Sequence, residues 1–283
     1  MTFSEAHDLL LDLKPEELMT PKNWIDSHSH LADPRLDQCR DEVIVRARKL
    51  GITQSLQGGV GPEDWLRQKE IARQYPGEIL LCFGLHPYWI NDHSENECDE
   101  AMDLLAKEIR QAQALGELGL DLRPQYEESR LLQLDFFEKQ LELAEMAQKP
   151  IVLHLVRAFE EAIQIFDLFL VPAKGGLVHS FNGSAPQAEA YLQHGLHISV
   201  GGPLCRPDNQ RLKQAVAVVP LEKLLIETDS PDQPPPSHQT YAGQMNEPTT
   251  LFEVAQEVAR IKKVTTEEVL DRSSANLRKL LSV

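Results

Sequence analysis

Short apolar or β-branched runs recur along the chain, each followed by a stretch with helical periodicity. The runs at 24–27, 52–57, 79–84, 114–119, 151–155, 176–180, 197–200 and 224–228 read as eight strands. Strands that alternate with helices mark βα units and a parallel sheet. Eight such units in roughly 250 residues predict an α/β fold, a single (β/α)8 TIM barrel, with an open doubly wound sheet as the alternative. Between the fourth and fifth runs, Leu134, Phe137, Leu141 and Ala144 fall on one helix face, and Pro150 stops that helix. The helix over 41–50 ends before Gly51, and that over 186–193 ends near Gly195; both glycines suit a C-cap. Residues 1–22 precede the first strand and are expected to form a short helical N-terminal extension packed on the barrel, which leaves 23–283 as the barrel domain. The Pro-rich, polar stretch 231–246 is expected to be a long, functional loop after the last strand.

Composition narrows the function. The chain has 283 residues, of which 42% are hydrophobic, enough for a large core without staples. Its 28 basic and 44 acidic side chains give a formal charge of −16 and no Lys/Arg cluster. This argues against a protein that coats nucleic acid by neutralising many phosphates. It does not exclude a phosphate-bearing substrate, because bound metals reverse a local field. No apolar stretch reaches the roughly 18 residues of a membrane span. The acidic N-terminus does not read as a signal peptide. Cys39, Cys82, Cys98 and Cys205 are scattered, so no disulfide framework and a cytoplasmic location are expected. A monomer is expected, since no long exposed apolar stripe stands out.

Candidate chemistry sits at the ends of the runs. The first ends in WIDSHSH, where Asp26, His28 and His30 share one face of a strand. Glu117, His154, His179 and Asp229 end four other runs. A lone carboxylate or imidazole beneath an apolar strand is costly to bury, and the C-terminal rim of a barrel is where its active site sits. Four His and two acids suit Zn, Mn, Fe or Co, with Mg possible through the carboxylates. Six ligands are too many for one open catalytic ion; they suit two ions roughly 3.5–4 Å apart, with Glu117 or Asp229 bridging. No nucleophile elbow, P-loop or dinucleotide fingerprint is present, and Gly58-Gly-Val-Gly61 and Gly201-Gly202 read as tight turns. Trp65 reads as helix packing, whereas Tyr88 and Trp89 could stack on a base. His197 opens a strand and belongs at the bottom of the barrel.

The motifs Asp26-Ser-His-Ser-His-Leu31, Gly84-Leu-His-Pro87, Gly116-Glu-Leu-Gly-Leu-Asp121, Leu153-His154, His179-Ser-Phe-Asn-Gly183, Glu227-Thr-Asp-Ser-Pro231 and Asn246-Glu-Pro248 resemble, in order, those of the TatD family of metal-dependent hydrolases. The helix pattern Arg130, Gln133, Phe137, Gln140 matches as well. The resemblance runs from about Trp24 to the end of the chain. It implies an amidohydrolase-like barrel with two divalent metal ions (Zn, Mg or Mn) that acts as a DNase, with DNA or an oligonucleotide as substrate. It implies that His28, His30, Glu117 and Asp229 hold one metal, and that Glu117, His154 and His179 hold the second, with Glu117 bridging. By the same resemblance Glu117 and Asp229 are catalytic, Asp229 orients or deprotonates the attacking water, and His86 faces the substrate phosphate. Many members carry an Arg two residues after the fifth-strand His; this chain has Val156 there, and Arg157 follows as the candidate phosphate contact. The leading expectation is an exonuclease. The alternatives are an ester or amide hydrolase, such as an aminoacyl-tRNA deacylase or a small-molecule amidohydrolase, and a non-catalytic accessory protein, which would lack some of these ligands.

Overall fold

The computed structural model describes residues 22–169, 171–238 and 245–283. β1 (Trp24–Ser29), α1 (Arg40–Lys49), β2 (Ile52–Gln57) and α2 (Pro62–Gln74) open the chain. The short strands β3 (Ile79–Leu80) and β4 (Cys82–Phe83) lead into α3 (Pro87–Asn91) and α4 (Glu95–Glu108). Then come β5 (Ala114–Asp121), α5 (Arg130–Ala147), β6 (Ile151–Val156), α6 (Phe159–Phe169), β7 (Gly176–Val178), α7 (Ala185–Gln193) and β8 (His197–Val200). The chain closes with α8 (Gln210–Val218), β9 (Leu224–Ile226), α9 (Leu251–Lys262) and α10 (Thr266–Leu281). No helix among the described residues is long and apolar enough to cross a membrane.

All strand pairs are parallel, in the order β1-β2-β3 and β4-β5-β6-β7-β8-β9. β3 and β4 are the two halves of the strand predicted over 79–84, interrupted at Leu81. There Gln113 takes over the bonding: its Oε1 accepts from Leu81 N at 2.7 Å, and its N–H donates to Leu81 O at 2.8 Å. The chain thus supplies the eight strand positions of a (β/α)8 barrel. Between β9 and β1 no regular ladder forms among the described residues. Ser27 Oγ donates to Ile226 O at 2.7 Å, Thr228 N to Asp26 Oδ1 at 3.0 Å, and Asp229 N to His28 O at 3.0 Å. This seam brings the ends of the first and last strands together. Ile25, Leu56, Leu80, Cys82, Ala114, Val152, Leu177 and Leu225 pack as one apolar group with Leu277 and Leu280 of α10.

The helix predicted between the fourth and fifth runs is α5, but its buried face is shifted. Gln133, Phe136, Phe137, Gln140, Leu141 and Ala144 are buried, while Leu134 is only partly so. The reason is polar. Strand ends that outrun the ladder leave amides to satisfy, and Gln133 Oε1 accepts from Asp121 N at 2.8 Å. Gln140 Oε1 accepts from Leu85 N at 2.8 Å, and its Nε2 donates to Leu85 O at 3.1 Å. Two glutamines on an otherwise apolar stripe therefore fix the ends of the strands that carry His86 and Asp121. Gly51 and Gly195 follow their helices with φ of +85° and +80°, the left-handed turn expected of helix C-caps. The predicted extension over residues 1–22 lies outside the described residues apart from Lys22. Of the predicted 231–246 loop, the described part is stapled by Asn246, whose Nδ2 donates to Thr228 O at 2.6 Å and to Asp232 O at 2.9 Å.

His197 opens β8, as expected for a residue at the bottom of the barrel, and faces the Gly176 carbonyl through Nδ1 at 3.3 Å. Burial, reinforced by the nearby charge of Lys223, pushes its pKa down from 6.5 to about 4. The folded state therefore resists a proton that the unfolded chain accepts below about 6.5. Its contribution is complete above that pH and is lost as the pH falls toward 4. Denaturant midpoints measured at pH 7 and pH 5 should show a loss of stability that His197→Gln reduces, while metal content and turnover of the variant stay at wild-type levels.

Candidate metal centre

Five strands end at one place. His28 lies in β1 and His30 just past it, Glu117 in β5, His154 in β6, His179 directly after β7, and Asp229 three residues past β9. Glu117 is 0% exposed, and its two oxygens face different partners. Oε1 is 3.3 Å from His28 Nε2 and 3.1 Å from His30 Nε2. Oε2 is 2.8 Å from His179 Nε2 and 3.4 Å from His154 Nδ1. Asp229 Oδ1 lies 3.6 Å from His28 Nε2 and 3.5 Å from His30 Nε2. The six sequence-predicted donors thus converge, and Glu117 stands between two groups of imidazoles.

The chemistry of these atoms fits cations. Neither Glu117 oxygen has a hydrogen-bond partner, and His28 Nδ1 and His179 Nδ1 are likewise buried without one. Leaving such groups unsatisfied is expensive. Nitrogens and oxygens lie within 4.8 Å of one another in three overlapping sets: His28, Glu117 and His179; His28, His30 and Asp229; and His86, Glu117 and His154. Burial alone would raise the pKa of Glu117, yet the positive charge around it, His179 first, outweighs it and holds the carboxyl well below the usual range. Asp229 is likewise held low, burial being overcome by the hydrogen bond from His30 and by the His179 and His28 charges. Burial opposes protonation of His30 and His179, but Glu117 pushes both upward. An acid that is ionised at zero exposure requires positive charge around it, and divalent cations supply that charge more strongly than imidazolium.

A second layer fixes the donors. His154 Nε2 lies 3.3 Å from Asp121 Oδ2, so the carboxylate accepts from Nε2–H, which leaves the Nδ1 lone pair facing Glu117. Asp121 is itself gripped by Arg123, with Nε at 2.8 Å from Oδ1 and 3.1 Å from Oδ2. Burial disfavours its charge, but the His154 and Arg123 hydrogen bonds hold it below the normal range. Behind His179, Glu227 Oε1 is 3.7 Å from Nδ1 and accepts from Ser180 N at 2.5 Å. Asp26 shares a strand with His28 but does not join the cluster: it accepts from Thr228 N at 3.0 Å, from the Thr228 hydroxyl and from His28 N at 3.3 Å. It holds the seam on which His28 and Asp229 sit.

His86 approaches the same centre. Its Nε2 is 3.2 Å from His154 Nδ1 and 3.7 Å from Glu117 Oε2. Its Nδ1 accepts from Tyr88 N at 2.9 Å. A backbone N–H can only donate, so the proton of the neutral ring sits on Nε2 and points into the cluster. Burial, followed by the charge of His154, pushes the His86 pKa well down, which keeps the ring neutral. His86 is therefore a hydrogen-bond donor to this centre rather than a lone-pair ligand. Arg157 does not join the cluster. It follows β6 in an exposed position with φ +54°, and among the described residues it takes part in no hydrogen bond or ion pair.

Sequence reasoning missed Asp121, Glu227 and Gly58. The first two stand inside motifs already quoted, and the signal was a second acid beside each strand-end ligand. Gly58, read as a turn glycine, does something else. A Cβ there would collide with Glu117 Oε1 and His30 Cε1 and would meet His28 Cε1 at 2.7 Å. The centre needs that position bare. Trp65 packs as expected, buried with Nε1 donating to Gly84 O at 3.1 Å. Trp89 stacks on His93 with ring centroids 3.8 Å apart.

The sequence model of the TatD-related DNase family matches residues 25–282. The uncharacterized metal-dependent hydrolase YjjV of Escherichia coli (strain K12) is 29% identical over 263 residues, covering 92% of this chain and 98% of that protein. The 3′-5′ ssDNA/RNA exonuclease TatD of Erwinia tasmaniensis is 30% identical over 262 residues, covering 90% and 98%. The crystal structure of the Escherichia coli TatD homologue YjjV superposes with a TM-score of 0.82 at 28% identity, over 92% of this chain and 98% of that one. Agreement of this extent, in sequence and in backbone alike, means that the chain belongs to the TatD-related DNase family.

Proposed function

We propose that the chain is a two-metal phosphodiesterase that removes nucleotides from the ends of DNA or short oligonucleotide strands. The observation that carries this reading is the Glu117 carboxylate, buried with neither oxygen hydrogen-bonded and with each oxygen facing a different imidazole pair. His28, His30, Glu117 and Asp229 would hold one cation; Glu117, His154 and His179 would hold the second, with Zn, Mn or Mg as the suited ions. Divalent cations bound there supply Lewis acidity, which neutralises charge on a phosphoryl group and makes water acidic enough to attack near neutral pH.

The side chains do the rest. Asp229 Oδ2 accepts from Gln233 Nε2, which orients the carboxylate so that Oδ1 faces His28 and His30 and can take the proton of the attacking water. His86 offers its Nε2 proton to a phosphoryl oxygen, because Tyr88 N occupies the other ring nitrogen. Asp121 keeps His154 in the tautomer that presents Nδ1. Arg157, exposed and unpaired at the rim, is free to meet a further phosphate. A net charge of −16 favours local capture of a strand end over broad coating of a duplex. The relatives named 3′-5′ ssDNA/RNA exonuclease support attack from the 3′ end of a single strand.

Release of nucleotides from labelled single-stranded DNA in the presence of Mg or Mn is the expected result. Turnover of aminoacyl esters with none of DNA would refute the phosphodiesterase reading. Glu117→Gln should abolish turnover and lower metal stoichiometry at both positions, measured by elemental analysis. Gly58→Ala should do the same without removing a single ligand. Asp121→Asn should weaken metal affinity by roughly 10–100-fold, as loss of a carboxylate behind a ligating histidine does; unchanged affinity would show that His154 needs no such support.

A further inference from the structure

On the His86 and His154 side the centre is walled by rings that the proposed mechanism leaves unused. The Tyr88 ring lies 4.2 Å from that of His86 and 5.4 Å from that of His154. Tyr126 stacks on Tyr88 with centroids 5.1 Å apart and an interplanar angle of 26°. The Arg123 guanidinium lies 5.4 Å from both tyrosine centroids, and one of its amino groups donates to the Tyr88 hydroxyl. Both tyrosines are only partly buried. Arg123 and Tyr126 come from one short segment after β5, and Tyr126 N donates to Arg123 O at 2.9 Å.

Core packing accounts poorly for this arrangement. The ring contacts of Tyr126 are with Tyr88 and the Arg123 guanidinium, and Asp121 already grips Arg123 through its own hydrogen bonds. Stacked aromatic rings edged by a guanidinium are the surface on which nucleobases stack, since every base presents a π-face and the cation adds to the attraction. The surface begins one ring away from His86, the residue that would meet the phosphate. A base delivered there must already be free of its neighbour and its partner strand, which favours a single-stranded end.

We propose that Tyr126 and Tyr88, braced by Arg123, form the subsite that receives the terminal nucleobase of the substrate. The assignment rests on the phosphodiesterase reading above. It makes affinity depend on the presence of a base and not on the phosphate alone. Tyr126 is the residue to test, because Tyr88 also meets His86 and His154 and Arg123 also grips Asp121.

The probe is a single-stranded DNA decamer blocked by phosphorothioate linkages, with either 2-aminopurine or an abasic tetrahydrofuran residue at its 3′ end. Binding is followed by anisotropy, and base stacking by quenching of 2-aminopurine fluorescence. The wild-type protein should bind the base-bearing strand roughly tenfold tighter than the abasic one, about 1.4 kcal/mol. Tyr126→Ala should lose that preference and the quenching while binding the abasic strand as the wild type does. Tyr126→Phe should keep both. Equal affinity of the wild type for the two strands, with DNA still cleaved, would overturn the subsite and leave the phosphodiesterase reading standing. Equal weakening of both strands by Tyr126→Ala would likewise overturn it, showing a merely structural residue. A wild-type protein that binds neither strand and cuts no unblocked single-stranded DNA, yet turns over an aminoacyl ester, would overturn both.

Discussion

A carboxylate that is wholly out of water and still charged constrains its whole neighbourhood. Transfer of such a group into a protein interior costs several kcal/mol unless positive charge and hydrogen bonds compensate. Glu117 lies within β5 with 0% exposure and no hydrogen-bond partner on either oxygen. Its compensation must come from nitrogens on other strands and from any cations that they would hold. The convergence of β1, β6 and β7 on β5, the absence of a side chain at Gly58, and the clamp of Gln133 on the Asp121 amide all serve that one group.

The hydrogen bonds around the centre run in one direction. Tyr88 N donates to His86, the far nitrogen of His86 points at His154, and the far nitrogen of His154 donates to Asp121. The chain of donors begins at a backbone amide, which cannot accept, and ends at a carboxylate, which in its ionised form cannot donate. No ring in the series is free to flip its tautomer alone. The geometry therefore sorts two neighbouring histidines into different chemistry: His154 presents a lone pair and His86 a proton.

Much of this was readable in the sequence, for a physical reason. Strand alternation and apolar runs report burial, and a polar residue that ends an apolar run stands out against them; hence His28, His30, Glu117, His154, His179 and Asp229 were legible as a set. The motif order then identified the family. What stayed hidden depends on contacts between distant segments. Gln133 and Gln140 were legible as part of a family pattern, but their role was not, because the amides they satisfy lie on other elements. Asp121 and Glu227 were visible as letters, but their role depends on which imidazole nitrogen they face. Asp26 shares the strand phase of His28, yet the seam with Thr228 takes its side chain. Gly58 carries no side chain to read, and its importance lies in what would collide with one.

The seam between the first and last strands also links assembly to cofactor capture. His28 and Asp229 meet across it, where Asp229 N donates to His28 O, His30 N donates to Ser230 O, and the Asp26 carboxylate accepts from Thr228 N. A polypeptide that has made only its first seven strand positions carries five of the six donors, and Asp229 arrives with the final one. Any ion that prefers the finished pocket to the loose chain shifts the equilibrium toward closure in proportion to the logarithm of its concentration. A cation held there as proposed would rivet the ring, and chelation would loosen it where its two ends join.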